Sequence, residues 1–150
     1  MSGYWQDPEA TAEALQDGWI HSGDLARRDA DGYVWFVGRI KELIVRGGSN
    51  ISPQEVESAL AGHPSVIESG VIGLPDPVLG ERVAAVVCCR GDLHATEAEL
   101  ISFLWSRLAD YKVPERIWFR GSLPKNAAGK IERGKLRDEV LAELASCRSV

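Results

Sequence analysis

Arg82-Val83-Ala84-Ala85-Val86-Val87-Cys88-Cys89 is apolar at odd and even positions alike once past its first residue. Side chains of a strand alternate between its faces, so this segment is apolar on both and belongs in the middle of a sheet that is covered on both sides. Val66 to Gly73 reads as a neighbouring strand. Downstream, Thr96-Glu97-Ala98-Glu99 has the form of a capping box, and the helix it opens sets Leu100, Ile101, Leu104, Trp105 and Leu108 on one stripe. Arg116 to Phe119 is a short strand, and a last helix from about Arg133 turns Leu136, Val140, Leu141 and Leu144 inward.

Toward the N-terminus, Ser52-Pro53-Gln54-Glu55 has the form of a second capping box, opening a helix that runs to about Gly62. Leu43 to Arg46 reads as a strand followed by a Gly47-Gly48 turn. Before Lys41 the pattern differs. Asp7-Pro8 caps a short helix running through about Leu15, and strands near Leu25 to Arg28 and Tyr33 to Val37 flank the turn Asp29-Ala30-Asp31-Gly32. Irregular alternation of strands and helices over residues 41 to 150 predicts an α+β domain, a two-layer sandwich of a small mixed sheet with packed helices. A short β-hairpin tail within residues 1 to 40 precedes it.

At 150 residues and 45% apolar, the chain can bury one core, or one core and a poorly covered appendage. A formal charge of -5 gives no support to nucleic-acid or anionic-membrane binding, so neither is expected as a partner. Three cysteines, two of them adjacent at Cys88 and Cys89, make a poor disulfide framework, and a reducing, cytoplasmic setting is the expectation. His21, His63 and His94 lack partners at metal-ligand spacing, so no metal site is expected. No apolar run approaches the roughly 20 residues of a transmembrane helix.

Pro124-Lys125-Asn126-Ala127-Ala128-Gly129-Lys130-Ile131 places a lysine on a glycine-hinged loop just before the last helix. A flexible ammonium with three donors can follow phosphate and carboxylate oxygens as charge shifts between them. Three further segments precede it in order. They are His21-Ser22-Gly23-Asp24-Leu25, followed by the turn Asp31-Gly32-Tyr33, then Gly38-Arg39-Ile40-Lys41-Glu42-Leu43-Ile44, then Arg46-Gly47-Gly48-Ser49-Asn50-Ile51-Ser52-Pro53-Gln54-Glu55-Val56-Glu57. Together the four resemble, in order and spacing, the C-terminal part of the adenylate-forming enzymes: acyl-CoA synthetases, adenylation domains of peptide synthetases, and luciferases.

The resemblance implies that residues 1 to 40 are the C-terminal tail of a large AMP-binding domain and that residues 41 to 150 are the small C-terminal lid. It implies an acid-thiol ligase in which a carboxylic acid, for example a fatty acid, reacts with ATP to give an acyl-adenylate and pyrophosphate, and CoA then takes the acyl group. Substrates are then ATP, CoA and the acid, with Mg2+ held by the large domain, which is itself the lid's partner. The chain alone is expected to be inactive. Lys130 matches the family's adenylation lysine, Asp24 the aspartate that accepts from both ribose hydroxyls, and Arg39 the arginine that contacts ribose and phosphates. Lys41 matches the hinge about which the lid swings, and Gly47 and Gly48 the backbone beside the CoA pantetheine arm. Leu79 and Val113 depart from the aromatic and basic residues that many CoA ligases carry at those places. Two other assignments are compatible with the sequence: an enzyme passing its acyl group to a carrier protein, and a free-standing noncatalytic module that binds nucleotide or a partner.

Overall fold

A computed structural model describes residues 1–91 and 95–147 of the protein. The chain forms two compact units, Met1–Lys41 and Glu42–Val150, dividing one residue past the boundary drawn from the sequence.

In the first unit, helix α1 (Pro8–Ala14) starts where its sequence says it should: Asp7 accepts from the Ala10 amide at 2.9 Å and Pro8 occupies the first turn. Strands β1 (Leu15–Gln16) and β2 (Trp19–Ile20) form a minimal hairpin. Strands β3 (Asp24–Arg28) and β4 (Val34–Arg39) form a longer antiparallel one. The Asp29 carboxylate holds the β3–β4 turn, accepting from Trp35 Nε1 at 3.0 Å and from the Tyr33 amide at 2.9 Å. Those bonds, the Trp35 one foremost, keep its pKa below the usual carboxylate value. This unit has little interior. Trp5, Trp19, Tyr33, Trp35 and Phe36 are each more than half exposed.

The second unit is built on a five-stranded sheet. Strands β5 (Ile44–Arg46) and β6 (Ser49–Ile51) form a hairpin, helix α2 (Pro53–Ala61) follows, and β7 (Val66–Asp76) and β8 (Gly80–Cys89) pair along their length. After α3 (Glu97–Trp105), strand β9 (Arg116–Phe119) lies parallel to β8, and α4 (Arg133–Cys147) closes the described chain. The order is β6-β5-β8-β7 with β9 also on β8, and every pairing except β8–β9 is antiparallel.

The two-faced character of β8 decides the layering. Val83, Ala85 and Val87 join Val56 and Leu60 of α2 and Leu100 and Leu104 of α3 in one core. Ala84, Val86 and Cys88 join Leu136 and Val140 of α4 in another, on the opposite face. The class and mixed sheet are those expected from the sequence, and α4 adds a helical layer beyond the two anticipated. Gly70 of β7 lets α4 approach closely, since a Cβ there would sit 2.6 Å from Leu136 Cδ2.

Two local expectations are corrected. The capping box at Thr96 and Glu99 forms with both reciprocal bonds, whereas at α2 the Ser52 hydroxyl turns to Gln54 Oε1 at 3.1 Å and the reciprocal box is absent. The α3 stripe is narrower than its periodicity suggests: Leu100 and Leu104 are fully buried, but Trp105 is the last helical residue and is 55% exposed. Among the described residues no helix is long and apolar enough to cross a membrane.

Truncation should reproduce this split within α3. Leu104→Ala is expected to lower stability by about 2–5 kcal/mol, and Trp105→Ala by less than about 1 kcal/mol. Urea denaturation followed by circular dichroism measures both.

Candidate functional site

The lysine loop is built by one asparagine. Asn126 Oδ1 accepts from the amides of Ala128 and Lys130, both at 3.0 Å, while its backbone N–H donates to the Lys130 carbonyl at 2.9 Å. Gly129, at φ 76°, donates to the Asn126 carbonyl at 2.9 Å. Asn and Gly close such turns because the short amide can replace a backbone acceptor and glycine tolerates positive φ. The loop's base is fixed by an antiparallel bridge between Lys125 and Ile131 and by the Glu132 amide donating to the Pro124 carbonyl at 2.9 Å. Lys130 therefore has a constrained backbone beneath its side chain. That side chain is exposed, and its ammonium forms no ion pair with any described residue. Lys125 differs, being held by Glu68 at 2.5 Å.

Asp24 and Arg39, 15 positions apart in sequence, are directly opposite each other on the β3–β4 ladder. Arg39 Nε lies 3.2 Å from Asp24 Oδ1. Asp24 is further fixed by its amide donating to Ser22 Oγ at 3.2 Å, and the Ile40 amide donates to the Gly23 carbonyl at 2.9 Å. A carboxylate acceptor and a planar donor fork thus project side by side from one hairpin end.

Lys41 lies in a single 3-10 turn, Ile40–Glu42, and its ammonium stands 3.9 Å from Glu13 Oε1 with both groups exposed. Such a pair contributes little and does not restrain the backbone.

Gly47 and Gly48 occupy the two-residue turn joining β5 to β6, at φ 54° and 83°. Two consecutive positive values define the turn that matches strand twist, so both glycines have a structural reason to be there. The turn is anchored from the side by the Gly47 amide donating to the Leu79 carbonyl at 2.8 Å. Leu79 is held in turn by Asp76, whose Oδ1 accepts from the Leu79 and Val78 amides at 2.8 and 2.9 Å and whose Oδ2 accepts from Arg82 Nε. Arg82 Nη1 reaches Glu115 Oε2 at 2.6 Å, and Glu115 Oε1 takes Arg46 Nη2 at 2.7 Å. The Leu79 bond foremost, then Arg82 and Val78, lower the Asp76 pKa to about 2.

Asp24, Arg39 and Lys41 belong to the first unit, and Gly47, Gly48 and Lys130 to the second. Among the described residues, no hydrogen bond or ion pair joins Lys130 to the Gly47–Gly48 turn. His94 lies outside the described residues. Asn126 is not among the residues singled out from the sequence, although an Asn three residues before a Gly is a recognisable turn signal. The ion network from Asp76 to Arg46 is announced by no local pattern.

The family model for the AMP-binding enzyme C-terminal domain matches residues 55–130. The chain belongs to this family. It is 50% identical over 137 residues to a feruloyl-CoA synthase of Amycolatopsis sp, covering 91% of this chain and 28% of that protein. It is 44% identical over 145 residues to the fatty acid–[acyl-carrier-protein] ligase ScoC of Streptomyces coeruleorubidus, covering 97% of this chain and 28% of that one. Among solved structures, o-succinylbenzoate CoA synthetase from Bacillus subtilis, in complex with its acyl-adenylate intermediate, superposes with a TM-score of 0.87 at 36% identity. That alignment covers 91% of this chain and 28% of the synthetase. The chain thus spans little more than a quarter of the length of each.

Because Asp76 has a depressed folded pKa, its contribution is complete above the unfolded value near 3.9 and is lost as pH falls through about 2. Carboxyl-carbon NMR titration should give a midpoint of about 2 for Asp76. In Arg82→Gln the midpoint should rise toward the ordinary value while remaining below it, because the Leu79 and Val78 amides still donate.

Proposed function

We propose that the chain acts as the C-terminal portion of an ATP-dependent acyl-CoA ligase, with residues 1–41 as the edge of a large AMP-binding domain and the rest as its mobile lid. The observation that carries the proposal is the Lys130 ammonium, unpaired among the described residues and mounted on a braced loop, in a chain of the AMP-binding C-terminal family. The exposed aromatic surface of the first unit fits a segment that packs on a larger body.

In the first half-reaction an acid carboxylate oxygen attacks the α-phosphorus of ATP, the bond to the β-phosphate oxygen breaks, and pyrophosphate leaves. Two anions must approach each other, and negative charge gathers on the α-phosphate oxygens. Lys130 lowers both barriers by placing a cation among those oxygens. Asp24 accepts from the ribose hydroxyls, and Arg39, oriented by Asp24 through Nε, offers its remaining N–H groups to ribose and phosphate. In the second half-reaction the CoA thiol, losing its proton, attacks the acyl carbon and AMP leaves. The lid turns about Lys41 between the two steps, and the Gly47–Gly48 turn then lies beside the pantetheine arm, where the lack of side chains leaves room.

Mg2+ enters this scheme with ATP. The described residues contain no group of three or more carboxylate, histidine or cysteine side chains placed to hold it. Three free cysteines suit a reducing cytoplasm. A second acceptor class, a carrier-protein thiol, is favoured by one observation: Leu79 and Val113 supply neither an aromatic face nor a positive charge for the nucleotide end of CoA.

The complete protein is expected to convert a carboxylic acid, ATP and CoA to acyl-CoA, AMP and pyrophosphate in equal amounts. Lys41→Pro, which fixes φ near -65°, should slow thioester formation more than adenylation, as pyrophosphate exchange and thioester assays will measure. Thioester formed on a carrier protein but never on CoA would select the second acceptor. Absence of adenylation with every acid tested would overturn the ligase reading.

A further inference from the structure

Arg133 stands at the first position of α4, three residues after Lys130. A cation at a helix N-terminus opposes the helix dipole, so local electrostatics do not favour it there. Two carboxylates from distant parts of the unit hold it instead. Arg133 Nη2 and Nε grip both oxygens of Glu57 on α2, at 2.8 and 3.2 Å, and Nη1 reaches Glu42 Oε2 at 2.6 Å. Each carboxylate is tied further. Glu57 Oε1 accepts from the Val71 amide of β7 at 2.9 Å, and Glu42 Oε2 accepts from Gln54 Nε2 at 3.1 Å. Arg133 and Glu57 are largely shielded, at 21% and 16% exposure, and Glu42 is partly exposed at 35%.

The identity of the groups joined matters more than their number. Glu42 is the residue immediately after Lys41, and Arg133 begins the helix onto which the lysine loop runs. The planar fork of an arginine fixes direction as well as distance, which a hydrophobic contact of the same volume would not.

We propose that Arg133 is a positioning residue for Lys130. By clamping the start of α4 to Glu57 and to Glu42, it makes the lysine loop move as one body with the segment that leaves Lys41. A rotation at Lys41 is then transmitted to the ammonium without slack. This role rests on the assignment of Lys130 and Lys41 made above, whereas the clamp's effect on the loop does not.

Amide hydrogen exchange on the 150-residue chain tests the clamp directly. Glu42→Gln keeps the shape of the side chain and removes its charge, and it should speed exchange at Ala128, Gly129 and Lys130 by at least about threefold, with Ala85 and Val87 of β8 unchanged. Arg133→Gln should give a larger effect at the same amides, and Arg133→Lys, a point charge unable to span both carboxylates, an intermediate one. Adding Glu42→Gln to Arg133→Gln should change little more, because the two share one interaction. In the complete enzyme Glu42→Gln should lower the adenylation kcat about tenfold, while KM for ATP and capture of supplied acyl-adenylate by CoA stay within twofold. Unchanged loop exchange in Glu42→Gln, or a rise shared equally by the β8 amides, overturns the clamp whatever the complete protein catalyses. A loosened loop with normal adenylation overturns the positioning role. An enzyme inactive before any substitution overturns the ligase reading and that role together, and the exchange data still decide whether the clamp exists.

Discussion

Burial of β8 on both faces is the constraint from which the second unit is organised. Val83 to Cys88 are all less than 5% exposed, which is possible only if apolar elements cover the sheet on each side. Helices α2 and α3 cover one face and α4 the other. The placement of α4 then fixes where the lysine loop can be, because the loop runs straight into that helix and its base is closed by Glu132 on Pro124. At roughly 25 cal/mol per Å² of apolar surface, burying such a strand outweighs any single ion pair nearby. Hydrophobic burial therefore sets the architecture, and the ionic contacts set direction within it.

What could be read from the sequence followed from local causes. The two-faced strand, the Thr96–Glu99 box, the Asp7-Pro8 helix start and the Gly47-Gly48 turn each express chemistry within a few residues, and each is present in the structure. Trp105 was misplaced because periodicity continues past the point at which α3 stops, and a stripe cannot report where a helix ends. The Arg133 clamp was beyond the reach of pattern reading for a different reason. Its partners are 76 and 91 positions away, and only the topology that packs α4 and α2 on the same sheet brings them into range. Of the candidate site, the residue types and their order were legible in the ordered motifs. The supports, Asn126 beneath Lys130 and the Asp76–Arg82–Glu115–Arg46 chain beside the glycine turn, were not.

The cations of the second unit divide into those committed to carboxylates and those left exposed and unpaired among the described residues, Lys130 being one of the latter. Arg46, Arg82, Arg120 and Arg133 are each committed to carboxylates, and Lys112 and Lys125 are held by Glu55 and Glu68. Lys130 is exposed, on a backbone braced by five loop hydrogen bonds and the Lys125–Ile131 bridge. A cation already paired would have to surrender its partner before stabilising a developing phosphate charge. One left unpaired on a braced loop incurs no such cost, as the role proposed for Lys130 requires.

The most direct measurement compares Lys130→Ala with the unsubstituted complete enzyme in the two half-reactions separately, pyrophosphate exchange for adenylation and CoA capture of supplied acyl-adenylate for thioester formation. If Lys130 serves the α-phosphate, adenylation falls by orders of magnitude and capture of supplied adenylate is nearly unchanged. Adenylation that stays within about threefold, a difference of roughly 0.7 kcal/mol in barrier, or a parallel loss in both half-reactions, would contradict that assignment.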